Sequence, residues 1–259
     1  MTSGGGPAGS RAASRWPSSI APPELSVVVP VHEEAGNIRP LLAEIRDALA
    51  GQLEYEIVYV DDGSTDATLD DLRAAMADEP RLVVVRHRTR CGQSAAVHTG
   101  VRTARGTWIA TLDGDGQNDP ADIPRLFAQA RAAGRGSMVA GYRRQRQDDW
   151  AKRIGSRLAN AVRRGVLGDA TPDSGCGLKV FARETYLALP CFDHMHRFLP
   201  ALFRAYGARV EIAEVNHRPR RTGRSKYGTL DRLWVGIVDL FGVFWLQRRT
   251  VRPDGEALT

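Results

Sequence analysis

Apolar residues in the first half of the chain fall into short continuous runs separated by stretches with helical spacing. Residues 25–31 form a β-branched run, 38–49 place apolar side chains three and four apart, and 56–60 is a second apolar run. The alternation continues with 70–76 read as helix, 82–85 as strand, 94–103 as helix and 108–112 as strand. Strands alternating with helices predict a parallel sheet with right-handed crossovers. In such sheets ligands gather beyond the carboxyl ends of the strands. The polar residues of interest fall there: 30–34 after the first strand, 61–66 after the second and 113–119 after the fourth. Three strand ends are therefore expected to converge on one crevice.

The fourth strand carries the sharpest chemistry. Its apolar run ends in Asp113 and Asp115, with Gly114 between them and Gly116 after. Two carboxylates one residue apart on thin backbone can turn toward one hard cation, and Gln117 offers a further neutral oxygen. A magnesium or manganese ion held this way keeps positions open for phosphates, which points to a nucleotide diphosphate. A carboxylate-rich turn capping the next helix explains the same residues in isolation. After the second strand, Asp61 and Asp62 place acceptors where a nucleobase imide or a ribose hydroxyl could donate, with Ser64 to Asp66 available to cap the following helix. No G-x-x-x-x-G-K-[ST] loop follows any strand, and G-x-G-x-x-G is absent after the first. Mononucleotide hydrolysis and dinucleotide redox chemistry are thereby disfavoured.

Composition narrows the class. A chain of 259 residues with 42% hydrophobic content can bury a full core and fits one large α/β domain with an appendage. Three widely spaced cysteines, Cys91, Cys176 and Cys191, lack the spacing of a zinc site or a disulfide framework and read as reduced thiols. Residues 1–24, rich in Gly, Ser, Ala and Pro, contain no secretory apolar run and read as a disordered tail. The net charge of +6 points to anionic partners. The basic residues cluster between Arg143 and Arg164 and again over 217–226, without the interleaved aromatics of a base-stacking surface. Nucleic acid is thus not the expected partner; phosphates of a small substrate or of an anionic membrane surface fit better.

Near the C-terminus, Leu230, Leu233, Trp234, Ile237, Val238, Phe241, Phe244 and Trp245 recur at spacings of three and four. The apolar stretch is too short to span a bilayer and carries Asp239 in its middle, so it reads as an amphipathic helix. Arg232, Arg248 and Arg249 suit an interfacial position; packing on its own domain or on a partner is the other reading. The expected organisation is a tail over 1–24, an α/β domain over 25–228, an interfacial helix over 229–249 and a tail over 250–259.

An ordered set of motifs then carries a resemblance over residues 25–247. It comprises Val29-Pro30-Val31-His32-Glu33-Glu34 with Asn37-Ile38, Val60-Asp61-Asp62-Gly63-Ser64-Thr65-Asp66, Gly92-Gln93, Leu112-Asp113-Gly114-Asp115-Gly116-Gln117, Asp173-Ser174-Gly175-Cys176-Gly177 and Gly223-Arg224-Ser225-Lys226-Tyr227. The chain resembles family 2 glycosyltransferases of the GT-A fold, specifically the polyprenol-phosphate sugar synthases, among them dolichol-phosphate mannosyltransferase and the undecaprenyl-phosphate aminoarabinose transferases. It departs from the family where Tyr-Asn is replaced by His32-Glu33, and where Asp-Ala-Asp-Leu-Gln is Asp-Gly-Asp-Gly-Gln.

The resemblance implies a mixed, mainly parallel sheet with helices on both faces and an inverting transfer of sugar from a UDP- or GDP-linked donor to a polyprenyl phosphate. It implies Mg²⁺ or Mn²⁺ at Asp113, Asp115 and Gln117; donor contacts from Pro30, His32, Glu34, Asp62, Asp113, Gly114, Asp115 and Lys226; and Asp113, Asp115 and Asp173 as catalytic residues. For the acceptor phosphate it implies Arg143, then Ser156 with either Lys152 or Arg153 on a helix over 150–160, and Arg224. The loop over 217–227 would close over the diphosphate. The expected setting is the inner face of the cytoplasmic membrane, as a peripheral enzyme, with a homo-oligomer or a membrane-anchoring protein as further partners. A soluble or polysaccharide acceptor, and a noncatalytic nucleotide-sugar binder, are the alternatives.

Overall fold

The computed structural model describes residues 23–143, 163–169, 171–219 and 229–251, with side chains from 236 onward in the last segment. The expected helix over 150–160, the loop beyond residue 219, the tails apart from residues 23–24 and 250–251, and the side chains of Leu230, Leu233 and Trp234 lie outside the described residues. The strands are β1 (Leu25–Val31), β2 (Tyr55–Asp61), β3 (Leu82–Arg86), β4 (Trp108–Thr111), β5 (Ser137–Tyr142), β6 (Lys179–Ala182) and β7 (Arg209–Glu214). They form one sheet in the order β3-β2-β1-β4-β6-β5-β7. β1 pairs in parallel with β2 and β4, β2 with β3, and β5 with β7, whereas β6 runs antiparallel between β4 and β5. The sheet is thus mixed and mainly parallel, as the resemblance implies, whereas the strand–helix alternation alone predicts only its parallel part.

Side-chain alternation along β1 and β2 builds a core on each face. Leu25, Val27, Val29 and Val31, with Ile57 and Tyr59, pack under helices α1 (Ile38–Leu49), α2 (Thr68–Asp78) and α4 (Ile123–Ala133). Val28, Val58, Val60 and Ile109 face the opposite way, toward α3 (Gln93–Thr103) and the short helix Leu199–Ala205. Because β1, β2 and β4 are parallel neighbours, their C-terminal ends open on the same edge, which brings the three polar segments together.

The other edge of the sheet holds a buried carboxylate with a structural task. Glu56 is 1% exposed, and its Oε1 accepts from Ser26 Oγ at 2.6 Å, from the Arg105 amide at 2.5 Å and from the Gly106 amide at 3.3 Å. Arg105 Nε donates to Oε2 at 3.2 Å. A buried charge is tolerable only when its lone pairs are filled, and here they are.

The C-terminal helix, Thr229–Arg249, is apolar on two sides. Leu240 and Val243 are buried against the second core with Phe244 packed beside them, while Val238, Phe241 and Trp245 remain 55%, 64% and 59% exposed. Gln247 Nε2 clasps the helix to the domain by donating to the carbonyls of Leu167 and Ala201, each at 3.3 Å. Asp239, which interrupts the apolar pattern, lies with its Oδ2 3.0 Å from Nδ1 of His194. No helix among the described residues is long and apolar enough to cross a membrane.

Replacing Glu56 with Ala removes the buried acceptor shared by the Ser26 hydroxyl, the Arg105 and Gly106 amides and the Arg105 guanidinium. It is expected to lower stability by about 2–4 kcal/mol in urea unfolding. A loss below about 0.5 kcal/mol would contradict this reading of the edge.

Candidate active site

The loops after β1 and β2 are stitched to each other rather than merely adjacent. Ser64 Oγ accepts from the Glu33 amide at 2.9 Å, Thr68 Oγ1 from the Glu34 amide at 2.8 Å, and Asp66 Oδ2 from the Ala35 amide at 3.4 Å. Asp66 Oδ1 in turn takes the Thr68 amide at 3.0 Å and its hydroxyl at 2.6 Å. The expectation that Ser64 to Asp66 cap the following helix holds for Asp66, whose Oδ1 takes the amide of Thr68, the first helical residue, whereas the Ser64 hydroxyl turns to the β1 loop. The Ser64 hydroxyl and Asp66 Oδ2 are spent in fixing the β1 loop, where Glu33 sits at φ 53°. On that loop, Glu34 accepts from Asn37 Nδ2 at 2.7 Å, and both His32 and Glu34 are half-buried.

Asp62 projects from the end of β2 into the segment that follows β3. Its Oδ1 lies 2.8 Å from His87 Nδ1 and accepts from the Cys91 amide at 2.8 Å, while Oδ2 accepts from the Gly92 amide at 2.8 Å. Burial alone would raise this carboxyl, but the bonds from His87, Cys91 and Gly92 outweigh it and hold Asp62 below the usual carboxylate range. His87 Nε2 is 2.9 Å from Thr99 Oγ1, so both ring nitrogens are engaged. Asp62, His87 and Cys91 lie close enough together to suggest a metal cluster. With the imidazole occupied on both sides, the set instead braces Asp62, leaving the carboxylate's remaining lone pairs for a ligand.

At the end of β4, each glycine position has a steric reason. A Cβ on Gly114 would lie 2.5 Å from Val31 Cγ1 and 3.1 Å from the Pro30 carbonyl, so only glycine lets the Asp113–Asp115 turn press against β1. A Cβ on Gly177 would lie 2.3 Å from Asp113 Oδ2; the absent side chain is the space the carboxylate occupies. Asp113 is half-buried and accepts from Gln93 Nε2 at 2.9 Å. Asp115 is 7% exposed and accepts from the Gln117 amide at 3.1 Å. The turn is then clamped from outside, where the Arg218 amide donates to the Gln117 carbonyl at 3.0 Å and Arg218 Nη2 reaches Glu44 at 2.7 Å and the Asn118 carbonyl at 3.0 Å.

Burial and the neighbouring charge of Asp115 push Asp113 up to about 6, against the attraction of Lys179 and Arg143. A buried carboxylate that feels the charge of a second one on the same turn, with the side-chain space of Gly177 vacated next to it, is what a hard divalent cation would relieve, and the donors are all oxygen. The residues present therefore fit Mg²⁺ or Mn²⁺.

Beyond Asp113 opens a cavity of about 490 Å³, whose polar lining includes Gln93, Arg143, Asp173, Lys179, His196 and Arg197. Arg143, just past β5, makes a bidentate pair with Asp173, Nε to Oδ2 at 2.6 Å and Nη2 to Oδ1 at 2.9 Å. Burial works against the Arg143 charge, but Asp173 more than offsets it and holds the guanidinium protonated. Pro30, Asp113, Arg143 and Asp173 thus meet on one cavity, whereas Asp115, buried, and Gln117, half-buried on the same turn, are not among its lining residues. Lys152, Arg153, Ser156, Arg224 and Lys226 fall outside the described residues. Sequence reasoning missed Lys179, His196 and Arg197. Lys179 is 4% exposed on β6, donates to the Cys176 carbonyl, and is lowered mainly by burial. A lysine opening an otherwise apolar strand was the one signal that could have found it.

Comparison with known proteins agrees with this geometry. The family model described as Glycosyl transferase family 2 matches residues 26–188. A dodecaprenyl-phosphate galacturonate synthase of Rhizobium johnstonii is 37% identical over 235 residues, covering 89% of this chain and 69% of that protein. An undecaprenyl-phosphate 4-deoxy-4-formamido-L-arabinose transferase of Aeromonas hydrophila is 38% identical over 210 residues, 80% of this chain and 63% of that one, so the chain spans under two thirds of its length. Among solved structures, glucosyl-3-phosphoglycerate synthase of Mycobacterium tuberculosis, in complex with Mn²⁺, UDP-glucose and phosphoglyceric acid, superposes with a TM-score of 0.62 at 20% identity, over 87% of this chain and 79% of that one. That likeness speaks for the fold alone, which is GT-A. On the family match and the identity to these relatives, the chain belongs to glycosyl transferase family 2.

Proposed function

We propose that the chain is an inverting glycosyltransferase that moves a sugar from a nucleotide-diphosphate donor to a polyprenyl phosphate, with a divalent cation bound at Asp113 and Asp115 and Gln117 close by. The observation that carries the reading is the crowded carboxylate pair at the end of β4, opening on a cavity whose wall bears the Arg143–Asp173 pair. When bound, the cation supplies positive charge to the diphosphate leaving group. The chain's residues do the rest. Asp62 and Glu34 on the β2 and β1 ends receive the nucleoside, while Pro30 and His32 shape its floor. Asp113 and Asp115 hold the cation, and Gly114 keeps the backbone thin enough for the donor to approach.

The acceptor phosphate is anionic at neutral pH, so positioning matters more than proton removal. Arg143 presents its guanidinium to that phosphate, and Asp173 fixes the fork of Arg143 and faces the sugar hydroxyls. Lys152 or Arg153, with Ser156, completes the acceptor-phosphate contacts from 150–160, Arg224 contributes to them from the stretch before the C-terminal helix, and Lys226 of that stretch contacts the donor diphosphate. One in-line displacement then inverts the anomeric centre.

The exposed stripe of Val238, Phe241 and Trp245, with Arg248 and Arg249 beyond it, is read as lying in the headgroup region of the inner face of the cytoplasmic membrane, where a prenyl chain also resides. On this reading 25–228 is the catalytic domain and 229–249 its interfacial helix.

The direct test is incubation with Mn²⁺ and a panel of nucleotide sugars, with and without undecaprenyl phosphate. A butanol-extractable glycolipid that forms only with the lipid is expected; donor consumption indifferent to it would reject the acceptor. Asp115→Ala should reduce transfer by at least about 100-fold while nucleotide binding persists, and unchanged transfer would remove the cation from the account. Gly177→Ala forces the Asp113 carboxylate aside and should lower kcat/KM by about 10- to 100-fold, with no effect expected if Asp113 is a bystander. In vesicle sedimentation, Phe241→Ser combined with Trp245→Ser should weaken binding to anionic membranes by at least about tenfold; equal binding would place that face elsewhere.

A further inference from the structure

The cavity beyond Asp113 carries more positive charge than its visible partners use. Asp173 is committed to Arg143 through two short bonds, and Lys179 is turned onto the Cys176 carbonyl beneath Asp113. Arg197 also lines the cavity and is half-buried, yet among the described residues its guanidinium meets no carboxylate and donates to no carbonyl. Its own amide bonds the His194 carbonyl at 3.0 Å, which anchors the backbone and leaves the side chain uncommitted. A half-buried arginine held over a substrate cavity without a protein counter-ion is suited to an anionic oxygen pair, which its planar fork meets bidentately.

The surroundings indicate which part of the substrate brings that anion. Arg197 shares its side of the cavity with Gln93, Val97, His196 and Leu199, the side built from α3 and the segment before Leu199–Ala205. Gln93 donates to Asp113 itself, so this wall begins at the proposed donor-phosphate position. His196 Nδ1 lies 2.7 Å from Ser94 Oγ, and burial with the nearby Arg197 charge drives the imidazole down to about 3, leaving it neutral. Among the described residues, neutral hydrogen-bonding groups around the uncommitted Arg197 form a lining for sugar hydroxyls plus one carboxylate. The acceptor-phosphate arginine, Arg143, instead projects from the end of β5 beside Ser174 and Gly175.

Resting on the transferase reading above, we infer that Arg197 is a specificity-determining residue that pairs with the carboxylate of a uronic-acid donor sugar. No group is transferred to or from Arg197; it binds and orients the sugar while the glycosidic bond to the diphosphate breaks and the bond to the acceptor oxygen forms.

The test uses the full chain with Mn²⁺ and undecaprenyl-phosphate vesicles, and matched donors differing only at C6: UDP-galacturonate against UDP-galactose, UDP-glucuronate against UDP-glucose, and GDP-mannuronate against GDP-mannose. The wild type is expected to favour the uronate of one pair by at least about tenfold in kcat/KM, and Arg197→Met to bring that ratio close to one, with Arg197→Lys between them. A wild type that prefers the neutral sugar of every pair overturns the inference. So does an Arg197→Met variant that raises KM for undecaprenyl phosphate while keeping the donor ratio, since that assigns Arg197 to the acceptor. If no donor yields glycolipid, the transferase reading fails separately. Donor affinities by calorimetry then decide Arg197: a uronate preference lost in Arg197→Met supports it, and equal affinities for both sugars in the wild type refute it.

Discussion

Two carboxylates on one turn, the first raised by its burial and by the charge of the second, organise the rest of this molecule. Asp113 sits half-buried at the end of β4 and is raised to about 6 by burial and by the charge of Asp115. Nothing in the folding of an ordinary turn rewards that arrangement, and several features of the chain exist to enforce it. Gly114 lets the turn lie against β1, Gly177 vacates the volume beside the carboxylate, and Arg218 clamps the outside of the turn to α1 through Glu44. Placed there, the pair stands between two different neighbourhoods: the braced Asp62 and the stitched β1 loop on one side, the cationic cavity on the other.

The sheet and its functional edge could be read directly from the sequence because β1, β2 and β4 are buried on both faces and so appear as nearly continuous apolar runs ending in polar ones. The element that makes the sheet mixed was less readable. β6 is four residues long, begins with Lys179 and follows a loop, so periodicity has little to act on. Pairwise facts were hidden for a different reason. The Asp173–Arg143 fork joins residues 30 positions apart, and the Asp62–His87 bond 25 apart; local spacing carries no trace of either. Ser64 and Asp66 fit a capping pattern, yet the Ser64 hydroxyl went to the neighbouring loop and Asp66 divides its oxygens between that loop and the helix start, a tertiary use that overrides part of the local preference.

The C-terminal helix shows how one sequence pattern can serve two surfaces. Its apolar periodicity suggested a single stripe, whereas the fold buries Leu240 and Val243 and leaves Val238, Phe241 and Trp245 outside. Asp239, anomalous on an interfacial helix, acquires a reason once His194 is found 3.0 Å away. His194 sits at φ 61°, a strained position for a residue other than glycine, and it begins the turn that delivers His196 and Arg197 to the cavity. The helix that faces outward is therefore mechanically continuous with the wall that faces the substrate.

The most direct measurement is the position of manganese itself. Crystals of the full chain grown with Mn²⁺ and a nucleoside diphosphate, with data collected at the manganese absorption edge, should show one anomalous peak within about 2.0–2.3 Å of carboxylate oxygens from the Asp113–Asp115 turn and in contact with the diphosphate. A diphosphate bound with no anomalous density at that turn, or manganese seated instead at Asp62, His87 and Cys91, would contradict the account.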